Sequence, residues 1–148
     1  MKGQVFTSVA LLLFGLAACG DQPRVTLATR LEQGIELTQA QSYQLWILDL
    51  VGRDNVPIQC ERLLSRVLAP GDPNVVKLLA PIEGNFASDT ITIDAIPVGN
   101  QNRIFFLELF EQPGQLGTRI GAGCAQSVSI VGGKKVEVEL VIVDPAPP

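Results

Sequence analysis

Two stretches of the chain are apolar on both faces when they are read as extended strands. In residues 42–51 the two faces carry Tyr43, Leu45 and Ile47 on one side and Trp46, Leu48 and Leu50 on the other. In residues 103–111 they carry Ile104, Phe106 and Phe110 opposite Phe105, Leu107 and Leu109. A strand that is apolar on both faces belongs in the middle of a sheet, with a layer on each side. These stretches therefore predict a sheet whose central strands are covered on both faces by other parts of the chain.

The rest of the chain also favours β-structure. Apolar and polar residues alternate over 24–31, 90–95 and 134–143, which indicates strands with one buried face. In the last of these, the inward positions are Val136, Val138, Leu140 and Ile142. Further strands are predicted at 35–37, 75–80 and within 117–131, and Pro/Gly turns separate them. About seven short strands with little helix predict an all-β fold, an antiparallel β-sandwich over residues 24–143 followed by a Pro-rich tail at 144–148.

Residues 60–68 change to helical spacing. Their apolar positions recur every three or four residues, at Cys60, Leu63, Leu64, Val67 and Leu68. Pro70-Gly71 would end such a helix. The pattern predicts one short helix with Cys60 on its buried face.

The first nineteen residues have the organisation of an export signal. Lys2 precedes the apolar run 9–16, and small residues follow. Leu16-Ala17-Ala18-Cys19 resembles the bacterial lipobox, which implies that residues 1–18 are a cleaved signal peptide and that Cys19 is acylated. Residues 19–23 would then be a lipidated tether. Gly20 at the next position implies the outer membrane, by the sorting rule of enteric bacteria.

Two other interpretations of this segment stay open. One is an ordinary secretory signal that is cut nearby. The other is an uncleaved helix, since the uncharged stretch between Lys2 and Asp21 reaches the lower limit for spanning a bilayer.

The remaining cysteines, Cys60 and Cys124, are predicted to form a disulfide. Once Cys19 is acylated they are each other's only intramolecular partner, in a compartment that permits disulfides. A three-residue loop around Gly132-Gly133 would align Val128 and Ile130 with Val136 and Val138. In that register an unbroken strand would place Cys124 inward beside Val128 and Ile130. Free buried thiols are the alternative.

The second half of the chain carries a further resemblance. Its motifs are Ile96-Pro97-Val98-Gly99, the apolar strand with Glu108, Gly121-Ala122-Gly123-Cys124, the run 128–133, and a final Val-x-Val-x-Leu. Residues 90–143 are similar to small bacterial lipoproteins and to transthyretin-like, or carboxypeptidase regulatory-like, β-sandwich modules. The resemblance implies a non-catalytic accessory or binding module and carries over no functional residues. An immunoglobulin-like sandwich fits the strand pattern as well.

Composition excludes several classes of function. The chain has no histidine, which removes the commonest general base and metal ligand. No lysine lies in a Ser-x-x-Lys arrangement, and a zinc site would need both Cys60 and Cys124. The formal charge of −4 disfavours nucleic acid as a partner. We therefore expect no catalytic residues, no resident metal and no cofactor.

The remaining candidates each have a plainer interpretation. Glu137 and Glu139 would lie about 7 Å apart on one strand face, a spacing that suits an inverting glycosidase, although a solvated outer face is the usual meaning of such a pattern. Trp46 and Tyr43 could stack on a sugar, or pack in the core.

Polar side chains in the turns and on the helix are a second group of candidates. Arg62 and Arg66 could bind an anion, or form a solvated helix face. The loops 71–74 and 84–89 could hold calcium, or be turns. The loop 99–102 offers amides at an end of the sandwich.

Together these observations predict a lipid-anchored outer-membrane protein without enzymatic activity, which acts as an interaction or structural module. Its expected partner is another envelope protein, and the domain would face either the periplasm or the cell exterior. The alternative is a module that binds a small ligand or glycan through the end loops.

Overall fold

The structure, a computed structural model, describes residues 23–32, 39–94, 96–98 and 101–144. The elements follow the chain as β1 (Arg24–Leu31), β2 (Ser42–Asp49), α1 (Cys60–Leu64), β3 (Ile82–Asn85), β4 (Thr90–Asp94), β5 (Arg103–Phe110), a 3₁₀ turn (Pro113–Gln115), β6 (Arg119–Val128) and β7 (Lys135–Val143). The predicted all-β class is confirmed. The predicted signal peptide, Cys19, the strand at 35–37 and tail residues 145–148 lie outside the described residues.

The seven strands of the described residues form one continuous sheet, in the order β3-β2-β5-β6-β7-β1-β4. The sheet curves into a half-barrel. The predicted purely antiparallel arrangement is wrong at one place, because β1 runs parallel to β7 from Arg24 opposite Lys135 onward. The other neighbouring strands are antiparallel. Apolar alternation is the same in either direction along a strand, so the sequence pattern carries no information about direction.

The larger apolar cluster, here called the inner core, lies between the two halves of the curved sheet. Both halves contribute to it. Its buried residues are Val25, Leu27, Ala40, Leu45, Ile47, Ile91, Ile93, Ile96, Phe105, Leu107, Leu109, Ile130, Val138, Leu140 and Ile142. The prediction that β7 turns Val138, Leu140 and Ile142 inward is confirmed.

The opposite face of β2, β5 and β6 carries a second cluster, the helix-side core. It consists of Leu48, Ile58, Leu63, Val75, Ile104, Phe106 and Ala122, with Trp46, Leu50, Cys60, Leu64, Leu68 and Cys124 packed against them. The chain between β2 and β3, which includes α1, supplies the cover. The prediction that β2 and β5 are central strands with two covered faces is therefore confirmed.

Helix α1 is shorter than the predicted residues 60–68. Ser65 is its C-cap, and Arg66 has φ 59°, in the left-handed region that ends a helix. Leu63 is buried as predicted, but Val67 is 70% exposed. Helical spacing in the sequence thus continues for one turn beyond the helix itself.

The segment that follows α1 pairs with β2 at two separate places, with an interruption between them. The predicted strand at 75–80 is wrong, since Lys77 makes only an isolated bridge to Leu48. The chain pairs with β2 again at β3, whose last two residues fall in the predicted loop 84–89. Pro81 stands between the two contacts and has no N–H to donate, so the edge cannot be continuous there.

The predicted alignment of Val128 and Ile130 with Val136 and Val138 is confirmed for the face, since all four lie in or against the inner core, but the two strands do not pair at these residues. Among the described residues, β6 and β7 pair only at their other end, where Ala122 and Gly123 meet the last two residues of β7. The register of β6 against β5 shifts near Ser127, which has φ 62°. This β-bulge turns the strand over, so Cys124 and Val128 face opposite sides.

Two glycines allow β7 to approach β6 closely at this junction. An added Cβ would lie 2.8 Å from Ile142 Cγ2 at Gly121 and 2.7 Å from Ile142 Cδ1 at Gly123. The Ile142 side chain occupies the space that side chains at these positions would need. The two glycines of β6 therefore permit the close contact with β7.

Cys60, the first residue of α1, and Cys124 of β6 form a disulfide with a Cα–Cα distance of 5.6 Å. The predicted bond is confirmed, but the expected place of Cys124 beside Val128 and Ile130 is wrong. The bond lies in the helix-side core because of the bulge at Ser127.

Removing the disulfide through Cys60→Ala with Cys124→Ala should lower the free energy of unfolding by about 4 kcal/mol in the chain-entropy model. The bond joins residues 64 positions apart, so it restricts the unfolded chain strongly. Urea unfolding monitored by Trp46 fluorescence measures the effect, and the wild type in reductant serves as the matched comparison. An unchanged unfolding midpoint with an unchanged slope would contradict this prediction.

Candidate functional site

A buried ion pair on the helix side of the sheet is the centre of the candidate site. Glu108 lies on β5, on the same face as Ile104 and Phe106, and Arg119 is the first residue of β6. The 3₁₀ turn and the residues after it bring the start of β6 back beside the end of β5, where Phe110 and Arg119 pair. The two charged side chains thereby meet beneath the segment that follows α1.

The geometry of the pair engages both carboxylate oxygens. Arg119 Nη1 donates to Glu108 Oε1 at 2.6 Å, and Trp46 Nε1 donates to Glu108 Oε2 at 3.3 Å. Arg119 Nη2 reaches the carbonyl oxygen of Leu64, the last residue of α1, at 3.4 Å. The side chains of Arg119 and Glu108 are 6% and 13% exposed. At such burial each charge needs the other, because an isolated ion in a protein interior is costly.

The guanidinium of Arg119 also lies 6.0 Å from the centroid of the Phe106 ring. Its Nε is buried and has no acceptor among the described residues. The pair therefore joins three elements, β5, β6 and the end of α1, through one carboxylate and one guanidinium.

A cavity of about 420 Å³, here called the Arg66 cavity, opens above this ion pair. Its lining combines charged and apolar side chains: Arg66, Leu68, Ala69, Pro70, Glu108, Phe110, Gly117 and Arg119. The segment after α1 forms one wall and the connection between β5 and β6 forms the other.

A second cavity of about 420 Å³ lies at the end of the sheet where β5 begins. It is lined by Asp49, Leu50, Val51, Gln101 and Asn102. Next to it Asp49 forms an ion pair with Arg103, whose side chain is 11% exposed. Of the predicted end loop 99–102, residues 99 and 100 lie outside the described residues, while Gln101 and Asn102 line this cavity.

The predicted arginine pair is not brought together. Arg66 lies beyond α1 and lines the Arg66 cavity, whereas Arg62 lines a smaller cavity of about 150 Å³ with Asp54 and Asp72. The early end of α1 separates them, so the predicted shared helix face is wrong.

Glu137 and Glu139 lie on the exposed face of β7. Their side chains are 74% and 60% exposed, and they pair with Lys135 at 2.9 Å and Arg30 at 2.6 Å. Neither carboxylate lies in a cleft, which is the arrangement of a solvated outer face.

Tyr43 and Trp46 point to opposite sides of β2. Tyr43 packs against the inner core, where its ring covers Gly84, and partial burial raises the pKa of its hydroxyl. Trp46 packs against the helix-side core, with Lys77 Nζ 5.4 Å from its ring centroid. The two rings therefore do not form a common stacking surface, and the core-packing interpretation is the one that the structure supports.

The loop carboxylates act within turns. Asp72 Oδ1 accepts from Asn74 N at 2.8 Å, and Asp54 Oδ1 accepts from Val56 N at 3.1 Å. Among the described residues, no three side chains of the Cys, Asp, Glu or His type are placed to hold a metal ion together.

The Glu108–Arg119 pair was not identified from the sequence as a site. The signal that could have found it is a single carboxylate within the otherwise apolar residues 104–110, since a charge on a central strand requires a partner. Which cation supplies that partner depends on the turn between β5 and β6 and has no local sequence signature.

Comparison with known proteins assigns the chain to no family, so the site is interpreted from its geometry. No protein-family model matches the chain, and no curated protein is significantly similar to it. In the part of the chain that the structure describes, no helix is long and apolar enough to cross a membrane.

Replacing the cation of the pair, in Arg119→Met, should lower the free energy of unfolding by roughly 3–5 kcal/mol because Glu108 stays buried without its partner. Adding Glu108→Gln should recover most of that loss, since the double variant buries no charge. Urea unfolding of both single variants and the double variant measures the coupling.

The exposed pair of Arg24 and Asp94, with side chains 62% and 65% exposed, provides the control. Arg24→Gln should change the free energy of unfolding by less than about 1 kcal/mol. A double variant as unstable as Arg119→Met alone would contradict the account of the buried pair.

Proposed function

We propose that this protein is a lipid-anchored component of a bacterial cell envelope, with residues 24–143 acting as a non-catalytic interaction or structural module. The observation that carries the proposal is the Cys60–Cys124 disulfide. Structural disulfides are typical of oxidising compartments outside the cytoplasm. The chain has three cysteines, and this bond engages two of them, which leaves Cys19 of the lipobox-like motif for acylation.

The proposed anchor is the set of acyl chains on Cys19, after removal of residues 1–18. Each buried CH₂ contributes about 0.8 kcal/mol, so one chain binds a membrane only marginally and two or three bind it stably. Gly20 supports delivery to the outer membrane. The tether of residues 19–23 would then hold the domain close to the membrane on its periplasmic or external side.

The proposed architecture of the module is a transthyretin-like or immunoglobulin-like β-sandwich. In this proposal β3, β2, β5 and β6 form one layer and β7, β1 and β4 form the other. Two features support it: the inner core draws on both groups of strands, and β6 and β7 share only a short run of pairing. Packing of two sheets face to face is the usual way to bury such a core.

The proposed role is binding to another envelope protein, without enzymatic turnover. The absence of histidine from the sequence and the exposed positions of Glu137 and Glu139 support a non-catalytic role. The alternative role, binding of a small ligand or glycan through an end loop, is favoured by the cavity that Gln101 and Asn102 line.

The anchor is tested by Cys19→Ala in the native host or in an enteric bacterium. We expect an uncleaved precursor or a soluble product in place of an acylated protein, because the variant lacks the sulfur that the lipid modifies. Membrane fractionation and mass spectrometry of the mature N-terminus measure the outcome. The variant with both Cys60→Ala and Cys124→Ala is the matched control and should remain acylated. Fractionation of Cys19→Ala with the outer membrane, as for the wild type, would refute the anchor.

The non-catalytic role is tested with generic ester, peptide and glycoside substrates. No turnover above the uncatalysed rate is expected for the purified full-length protein, since no nucleophile–base pair was found in its sequence. Activity that reproduces between preparations and disappears in Glu137→Gln or Glu139→Gln would overturn the proposal.

A further inference from the structure

We propose that the Arg66 cavity binds a small organic monocarboxylate, with its apolar body between Leu68 and Phe110 and its carboxylate on Arg66. This inference goes beyond the proposed envelope role, because it depends neither on the lipid anchor nor on the end loops.

The charges that line the cavity leave one positive charge available. Glu108 and Arg119 neutralise each other at 2.6 Å, and Trp46 donates to the second oxygen of Glu108. The negative charge of Glu108 is therefore already paired, and each of its oxygens already accepts a hydrogen bond. Arg66, in contrast, is exposed and takes part in none of the ion pairs between described residues. The cavity thus presents a neutralised ion pair in its lining and one cation that can receive an anion.

The backbone holds Arg66 in place beside this cavity. Arg66 N donates to Leu63 O at 3.3 Å, and Leu68 N donates to Arg62 O at 2.9 Å, so the residue is held within the closed turn that ends α1. Its φ of 59° is uncommon for a residue with a long side chain. This conformation directs the chain out of the helix and lets Arg66 line the cavity together with Leu68.

The other lining groups determine the body of the ligand. Leu68, Ala69, Pro70 and Phe110 are apolar, and Gly117 contributes no side chain. A volume of about 420 Å³ accommodates a ring or a short branched chain, within the size range of small-molecule sites. An inorganic anion would leave these apolar groups in water, while an organic cation would meet the unneutralised charge of Arg66. A single carboxylate on an apolar body matches both parts of the lining.

Benzoate and benzamide are suitable probes, because they have the same ring and nearly the same shape but differ in charge. Binding of each probe to the purified full-length protein is titrated by saturation-transfer NMR, with probe alone as the blank. Benzoate should bind at least about tenfold more tightly than benzamide, as expected for a charge-assisted hydrogen bond.

Three variants locate the binding. Arg66→Asn removes the cation and suits the left-handed backbone, so it should weaken benzoate about tenfold while leaving benzamide unchanged. Arg66→Asp reverses the charge, and Asp adopts the left-handed backbone as readily as Asn. It should weaken benzoate binding further. Arg30→Gln removes one positive charge from the exposed face of β1 and is the matched control, which should bind benzoate as the wild type does.

Three results would overturn the proposal. They are no benzoate binding up to its solubility limit, equal binding of benzoate and benzamide, and equal benzoate affinity in Arg66→Asn and Arg30→Gln. Unfolding midpoints of the variants, measured in the same buffer, establish that a loss of binding is not a loss of fold.

Discussion

The other strands and the helix are arranged around the pairing of β2 with β5. Both strands are apolar on both faces, and Leu45, Ile47, Phe105 and Phe106 are almost completely buried. Hydrogen bonds join the strands edge to edge, so neither strand can cover the faces of the other. Each face must therefore be covered by a different part of the chain.

The two faces are covered by different means. Regular strands cover the inner face, because the sheet curves until β7, β1 and β4 lie across the inner core from β2 and β5. On the helix side the cover is the largely irregular chain between β2 and β3, with one helix of five residues. So short a helix has little stability of its own. The disulfide from Cys60 to Cys124 holds its start, and the contact from Arg119 to the Leu64 carbonyl holds its end.

The position of the Arg66 cavity also follows from the way in which the helix side is covered. The end of α1 at Arg66 leaves the following segment free to pass over Glu108 and Arg119 without packing tightly on them. A helix extended through residue 68 would have kept Arg62 and Arg66 on one face. The left-handed turn separates these two arginines and brings a cation beside a lining of Leu68, Pro70 and Phe110. The chemistry of the cavity therefore follows from the way in which a short helix ends.

The all-β class, the two-sided burial of β2 and β5, the inward face of β7 and the pairing of Cys60 with Cys124 could all be predicted from the sequence. Each of these follows from side-chain periodicity or from counting reactive groups, which are properties of the chain alone. Four other features became visible only in the folded protein: the parallel β1–β7 pair, the bulge at Ser127, the end of α1 and the pairing of Glu108 with Arg119. These depend on contacts between distant segments, and apolar alternation is compatible with either strand direction and with several registers. The cavity belongs to the second group, since its two walls come from parts of the chain about forty residues or more apart, and only the folded sheet brings them together.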